Sequence, residues 1–153
     1  MLSLACRWNT AQIKRLVNDI SETPGFYRNL PAVNGAVEAL NEMLDSGVDV
    51  WICTSPLSEF RNCVLEKYDW VHKHLGQRFV DRMIMCRQKA YVRGGFLIDD
   101  LTDPRRECAL MPEWNHIVFD APYNRGASPK LRIEKWRDWR AVLREGKARF
   151  GHS

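Results

Sequence analysis

At 153 residues the chain is long enough for one domain with a proper core, and its 45% hydrophobic and 27% charged content is that of an ordinary globular protein. Its net charge of +4 favours anionic ligands only weakly, because much of the positive charge lies within residues 130–149. No apolar run approaches the ~18 residues a membrane span requires, so no membrane partner is expected.

The five cysteines (Cys6, Cys53, Cys63, Cys86, Cys108) are odd in number and form no C-x-x-C pair. That argues for a reducing compartment and against a disulfide framework or structural zinc site. His72 and His74 are two apart and do not share a helical face. Residues 1–6 are too short an apolar start for a secretory signal, and the acid-free opening with Arg7, Lys14 and Arg15, which faintly resembles a transit peptide, makes a good ordinary helix.

Ile13, Leu16, Val17 and Ile20 recur at the spacing of one helical face, with Asn9 or Thr10 as N-cap and Thr23-Pro24-Gly25 as terminator. Phe26 and Tyr27 lead through a proline-containing loop to Asn34, the expected cap of a second helix. Val37, Leu40 and Leu44 give that helix its buried stripe, and Gly47 ends it. Residues 48–54 (VDVWICT) read as a strand closed by Ser55-Pro56. Residues 59–75 are amphipathic, with Val64, Tyr68, Val71 and Leu75 inward and Gly76 as stop. Short apolar strands follow at 83–86 (MIMC), 96–99 (FLID) and 116–119 (HIVF), and Trp136, Trp139 and Leu143 mark the inner face of a last helix. Alternating strands and helices imply an α/β fold with a largely parallel sheet covered on both sides.

Three strand ends carry suggestive chemistry: Thr54-Ser55, then Lys89, then Asp99-Asp100. In a parallel sheet all three lie along one edge, where open α/β sheets bind ligands. A hydroxyl, an ammonium and a carboxylate pair together suit a phosphate and its Mg²⁺. Each has a plainer reading: Thr-Ser-Pro opens many turns, Ser55 or Ser58 can cap the next helix, a loop lysine is usually solvated, and Asp is a common turn residue. Their occurrence in order favours the phosphate reading.

The segments PGFYRNL, GAVEAL, ICTSPL, EKYDWVHKHLG, FLIDD and EWNHIVF resemble the 5′(3′)-deoxyribonucleotidases of the haloacid dehalogenase phosphatase superfamily, the cytosolic kind more than the mitochondrial. The resemblance runs from about Pro24 to the C-terminal helix. It implies a Rossmannoid parallel sheet in a single domain, 1–153, with 1–30 the remnant of a cap and 31–153 the core. It also implies a nucleoside monophosphate substrate, Mg²⁺ as cofactor and a cytoplasmic rather than mitochondrial location; no nucleic-acid partner is expected. Thr54 and Ser55 match the phosphoryl-binding motif, and Lys89 the third-motif lysine. Asp100 matches the metal ligand, with Asp99 orienting its shell, and Phe26 and Tyr27 match the aromatic wall of the nucleoside pocket. Lys67 falls in the EKY segment.

The family reaction begins with an Asp-x-Asp motif ending the first, central strand, whose first Asp attacks phosphorus and whose second is the general acid/base. No such motif occurs near this N-terminus, where the first acidic residue is Asp19. The chain is therefore expected to start after that strand and most of the cap. The slot left between the strands ending at Thr54 and Asp99 is about 10 Å, two strand spacings. Either those strands close up, or something fills the slot, or the chain is an incomplete product. Against the family pattern, Ser58 also stands in place of a basic residue, Gln88 of an acid and Leu101 of a basic residue.

Two function classes follow: a Mg²⁺-dependent nucleotidase impaired in this chain, or a non-catalytic nucleotide- or phosphate-binding regulatory homologue. A homodimer or association with a full-length relative accompanies either. Nucleic-acid binding through Lys130, Arg132, Lys135, Arg137, Arg140 and Arg144 is the weaker alternative to a solvated basic face. Thiol phosphatase chemistry is weaker still, since no cysteine has the phosphate-loop arginine spacing.

Overall fold

The computed structural model describes residues 10–57, 62–104 and 108–151. Among them the elements run α1 (Thr10–Ser21), α2 (Ala36–Asp45), β1 (Ile52–Thr54), α3 (Cys63–Leu75), α4 (Gln77–Val80), β2 (Met83–Met85), β3 (Phe96–Asp99), β4 (Asn115–Phe119), β5 (Arg132–Ile133) and α5 (Trp139–Phe150). All strand pairings are parallel, so the α/β class stands.

The expected single sheet is two sheets among the described residues: β1–β2, and β3–β4–β5. Ile52 lies opposite Met83 and Thr54 opposite Met85, while Phe96 lies opposite Asn115 and Asp99 opposite Val118. β1 and β3 do not close up on each other. Ile52 N–H donates to Arg82 O at 3.0 Å, and Thr54 O accepts from Cys86 N–H at 2.9 Å. Those two residues face β2, and the alternation of strand backbone turns Cys53 the other way. Likewise Asn115 N–H donates to Gly95 O at 2.9 Å, which turns the backbone of Ile98 away from β4. No described strand pairs with either edge.

The interior is nevertheless continuous. One cluster joins Ala39 and Met43 of α2 to Ile117, Leu131, Ile133 and Trp139, with Phe96 and Ile98 against it. A second joins Val71, Leu75 and Phe79, with Val37, Leu44 and Ile52 against it. Leu40 and Val50 pack on both. Helix α5 sits close on β3 because residue 146 is glycine: a Cβ there would lie 2.7 Å from the Phe96 ring.

Several expectations need correction. The α1 stripe is not buried: Ile13, Leu16, Val17 and Ile20 are 45–56% exposed. The cap of α2 is Gly35 rather than Asn34, and its buried residues are Ala39 and Met43, with Val37, Leu40 and Leu44 only half-buried. The first strand spans 52–54 rather than 48–54, because Val48 N–H turns back to Met43 O at 3.0 Å. In α3 the inward residues are Cys63, Glu66, Val71 and Leu75, while Val64 and Tyr68 are exposed. Strand β5 was not anticipated, being two residues long. Asn9, Ser58, Glu59 and residues 1–6 lie outside the described residues.

Candidate active site

The C-terminal ends of β1 and β3 carry the chemistry. Beyond β1, Ser55 Oγ donates to Cys86 O at 3.2 Å, tying the turn to the end of β2. Lys67, in the first turns of α3, reaches back to this end. Its Nζ donates to Thr54 Oγ1 at 3.1 Å and to Ser55 O at 2.5 Å. Burial, with Lys89 adding to it, holds the Lys67 ammonium below its usual range.

Lys89 lies in a short 3₁₀ turn after β2, anchored where Trp114 Nε1 donates to Lys89 O at 3.0 Å. Its ammonium pairs with Asp99 Oδ2, the two side chains being 15% and 3% exposed. Asp99 Oδ1 accepts from Leu101 N–H at 2.8 Å, so both carboxylate oxygens are engaged. Asp100 is exposed, and the Tyr123 hydroxyl donates to its Oδ2. That bond pushes the Tyr123 phenol up to about 12. The buried Asn124 fixes the same corner, donating to Asp100 O and Phe119 O at 2.8 Å each.

Phe26 and Tyr27 meet edge-to-face at 5.0 Å between centroids, and Lys67 Nζ lies 5.0 Å from the Tyr27 ring centre. The aromatic pair is thus one side chain away from Thr54. Both Gly25 N–H and Tyr27 N–H donate to the carboxylate of Glu66, at 2.6 and 3.1 Å.

The structure therefore gathers Thr54, Ser55, Phe26 and Tyr27 around Lys67, and Lys89, Asp99 and Asp100 around the end of β3. The two groups are linked: Ser55 bonds Cys86 O at the end of β2, and Lys89, in the turn that follows, pairs with Asp99 at the end of β3. Burial pushes the Cys53 thiol up, so it is a poor thiolate source. His116, opposite Leu97, is held below its usual range by burial, and its buried Nε2 has no hydrogen-bond partner.

The donor set suits Mg²⁺ only through Asp100. Among the described residues no group of three or more His, Cys, Asp or Glu is placed to hold a metal, and Asp99 is already committed to Lys89 and Leu101. Mg²⁺ commonly takes one or two carboxylates plus phosphate oxygens and waters, which a single exposed Asp100 can satisfy.

Sequence reasoning gave Lys67 no role and passed over Glu66, Trp114, Tyr123 and Asn124. Adjacent Glu66-Lys67 in the first turns of a helix was a usable signal. Nothing local marks Tyr123.

Residues 5–149 match the family described as 5′ nucleotidase, deoxy (pyrimidine), cytosolic type C protein. A Bordetella bronchiseptica protein named "Putative 5′(3′)-deoxyribonucleotidase" is 48% identical over 132 residues, which are 86% of this chain and 69% of that protein. The human cytosolic-type 5′(3′)-deoxyribonucleotidase is 42% identical over 132 residues, 83% of this chain and 65% of its own. The human mitochondrial enzyme is 36% identical over 148 residues, 89% of this chain and 64% of its own.

Proposed function

The chain belongs to the 5′(3′)-deoxyribonucleotidase family of haloacid dehalogenase-type hydrolases, and we propose that the residues described here carry the phosphate- and nucleoside-binding part of a nucleotide phosphatase site. The observation behind this reading is the convergence of Lys67 on Thr54 and of Lys89 on Asp99 at neighbouring strand ends. The substrate class is a (deoxy)nucleoside monophosphate. Thr54, the turn at Ser55 and Lys67 hold phosphate oxygens, while Lys89 adds positive charge beside them. Phe26 and Tyr27 face the nucleoside. Asp100 would hold Mg²⁺, which would supply charge neutralisation at the phosphate. A cytoplasmic location goes with the higher identity to the human cytosolic relative.

Cleavage of a phosphate monoester needs a nucleophile at phosphorus. No Asp-x-Asp occurs anywhere in the 153 residues, and the Thr54 hydroxyl accepts a hydrogen bond from Lys67 Nζ at 3.1 Å. The lysines that touch the site bind and neutralise; they do not attack.

The test is an assay of dUMP, dTMP and dGMP with Mg²⁺, run on this chain and on a version extended by a family-type first strand carrying Asp-x-Asp. We expect no measurable phosphate release from the first and turnover from the second, with Lys89→Ala removing most of that turnover. Robust hydrolysis by the unextended chain, abolished by Asp100→Ala, would show that another residue attacks phosphorus.

A further inference from the structure

Glu66 is 2% exposed, and no ion pair involves it among the described residues. A buried carboxylate is expensive unless its oxygens are hydrogen-bonded. Here the satisfaction comes from the Gly25–Tyr27 loop, some forty residues earlier in the chain: Oε1 accepts from Gly25 N–H and Oε2 from Tyr27 N–H. The two N–H groups converge because Gly25 has φ +88°, a conformation side chains rarely adopt. Phe26 sits between the two bonded residues and packs its ring on Tyr27. The next helix residue, Lys67, grips Thr54 Oγ1 and Ser55 O and lies over the Tyr27 ring. Consecutive residues of α3 therefore hold the aromatic loop and the end of β1 at a set separation.

We infer that Glu66 is a positioning residue: through the backbone of Gly25 and Tyr27 it sets the distance from the Phe26–Tyr27 wall to the phosphate-facing Thr54, and so selects a nucleoside of matching size. The inference rests on the reading of Phe26 and Tyr27 as the nucleoside wall. A carboxylate offers an acceptor to each N–H, whereas glutamine offers one acceptor and turns a donor toward the second. Glu66→Gln releases one point of the loop without changing side-chain volume. Lys67 and Thr54 are untouched, so the affinity for phosphate alone is preserved.

Two measurements decide it. Amide hydrogen exchange needs no ligand and reads the latch directly. In Glu66→Gln, exchange at Gly25 or Tyr27 should rise about tenfold or more, as loss of a charge-assisted hydrogen bond dictates, with Ile52 and Thr54 unchanged. Calorimetry reads its consequence: dUMP affinity should fall about tenfold while affinity for inorganic phosphate stays the same. Glu66→Asp, which keeps the charge but is one methylene shorter, should lie between the two and provides the comparison if the glutamine variant folds poorly. Unchanged exchange at both amides overturns the inference, as does an equal loss of dUMP and phosphate affinity. If the unsubstituted chain binds phosphate but does not favour dUMP over it, the nucleoside-wall reading falls, and size selection by Glu66 falls with it.

Discussion

Lys89 and Asp99 bring the question of residue-level energetics to the end of β3. Their side chains are 15% and 3% exposed, so neither charge is well hydrated. Removing one member of such a pair leaves the other buried and uncompensated, at a typical cost of about 3–5 kcal/mol. Lys89→Met should therefore lower the urea midpoint markedly, and adding Asp99→Asn should recover much of the loss, because asparagine keeps an acceptor for Leu101 N–H. Additive effects of the two substitutions would count against a coupled pair. Asp100 allows a second residue-level test. Its hydrogen bond to the Tyr123 hydroxyl stabilises the protonated phenol, and the negative charge beside it opposes phenolate formation. Asp100→Asn removes the charge, so Tyr123 should titrate lower, moving from about 12 toward the ordinary ~10, as followed by phenolate absorbance. The same variant should weaken Mg²⁺ binding in calorimetry, and tight Mg²⁺ binding indifferent to the substitution would remove Asp100 as a ligand.

Helices α2 and α5 are joined by Glu42, 97 residues before Trp139, whose Nε1 donates to Glu42 Oε2 at 2.9 Å; Arg140 pairs with Oε1. The Trp139 bond first, and Arg140 second, hold the Glu42 carboxyl below its ordinary value. A carboxylate with a lowered folded pKa contributes stability that is present above its unfolded pKa and lost as pH falls through the folded one. Thermal midpoints of the unsubstituted chain should thus decline between about pH 5 and pH 3 more than those of Glu42→Gln, with the gap closing at the acid end. Parallel curves across that range would mean the clamp is not charge-dependent. Such long-range ties were invisible in the sequence, since nothing local to Glu42 or Glu66 announces a partner on another element. The strands that reach the site were legible, because ICT, MIM and FLID are apolar runs closed by turn residues and too short for helices. Strand β5 was not, with only Arg132 and Ile133 to show. The α1 stripe had the right period for burial, yet periodicity states only that a face is apolar and not what covers it. Thr54, Lys89 and Asp99 were found as strand-end residues, whereas Lys67 was under-read because its role depends on α3 folding back over β1.

For the whole molecule the decisive feature is the pair of unjoined sheets, in which β1 and β3 each lack a described partner on one edge. Both strands remain only half-buried for most of their length, although Val50 and Leu40 carry the core from one sheet to the other. A strand laid between them would pair with Cys53 on one side and Ile98 on the other. Each large apolar side chain it buried would contribute about 1.5–3 kcal/mol, against a total of ~5–15 kcal/mol for an ordinary domain. Parallel edges with no partner among the described residues are also templates for other chains, which points to contact between copies. We therefore expect the 153-residue chain to unfold over a broad transition and to self-associate with rising concentration in sedimentation. The version extended by a family-type first strand should be monomeric by the same measure, several kcal/mol more stable, and steeper in urea, because the slope follows the surface exposed on unfolding. Amide exchange locates the effect: Cys53 and Ile98 should exchange quickly in the shorter chain and become protected in the longer one. A monodisperse, sharply melting 153-residue chain with both amides already protected would show instead that neither edge is open.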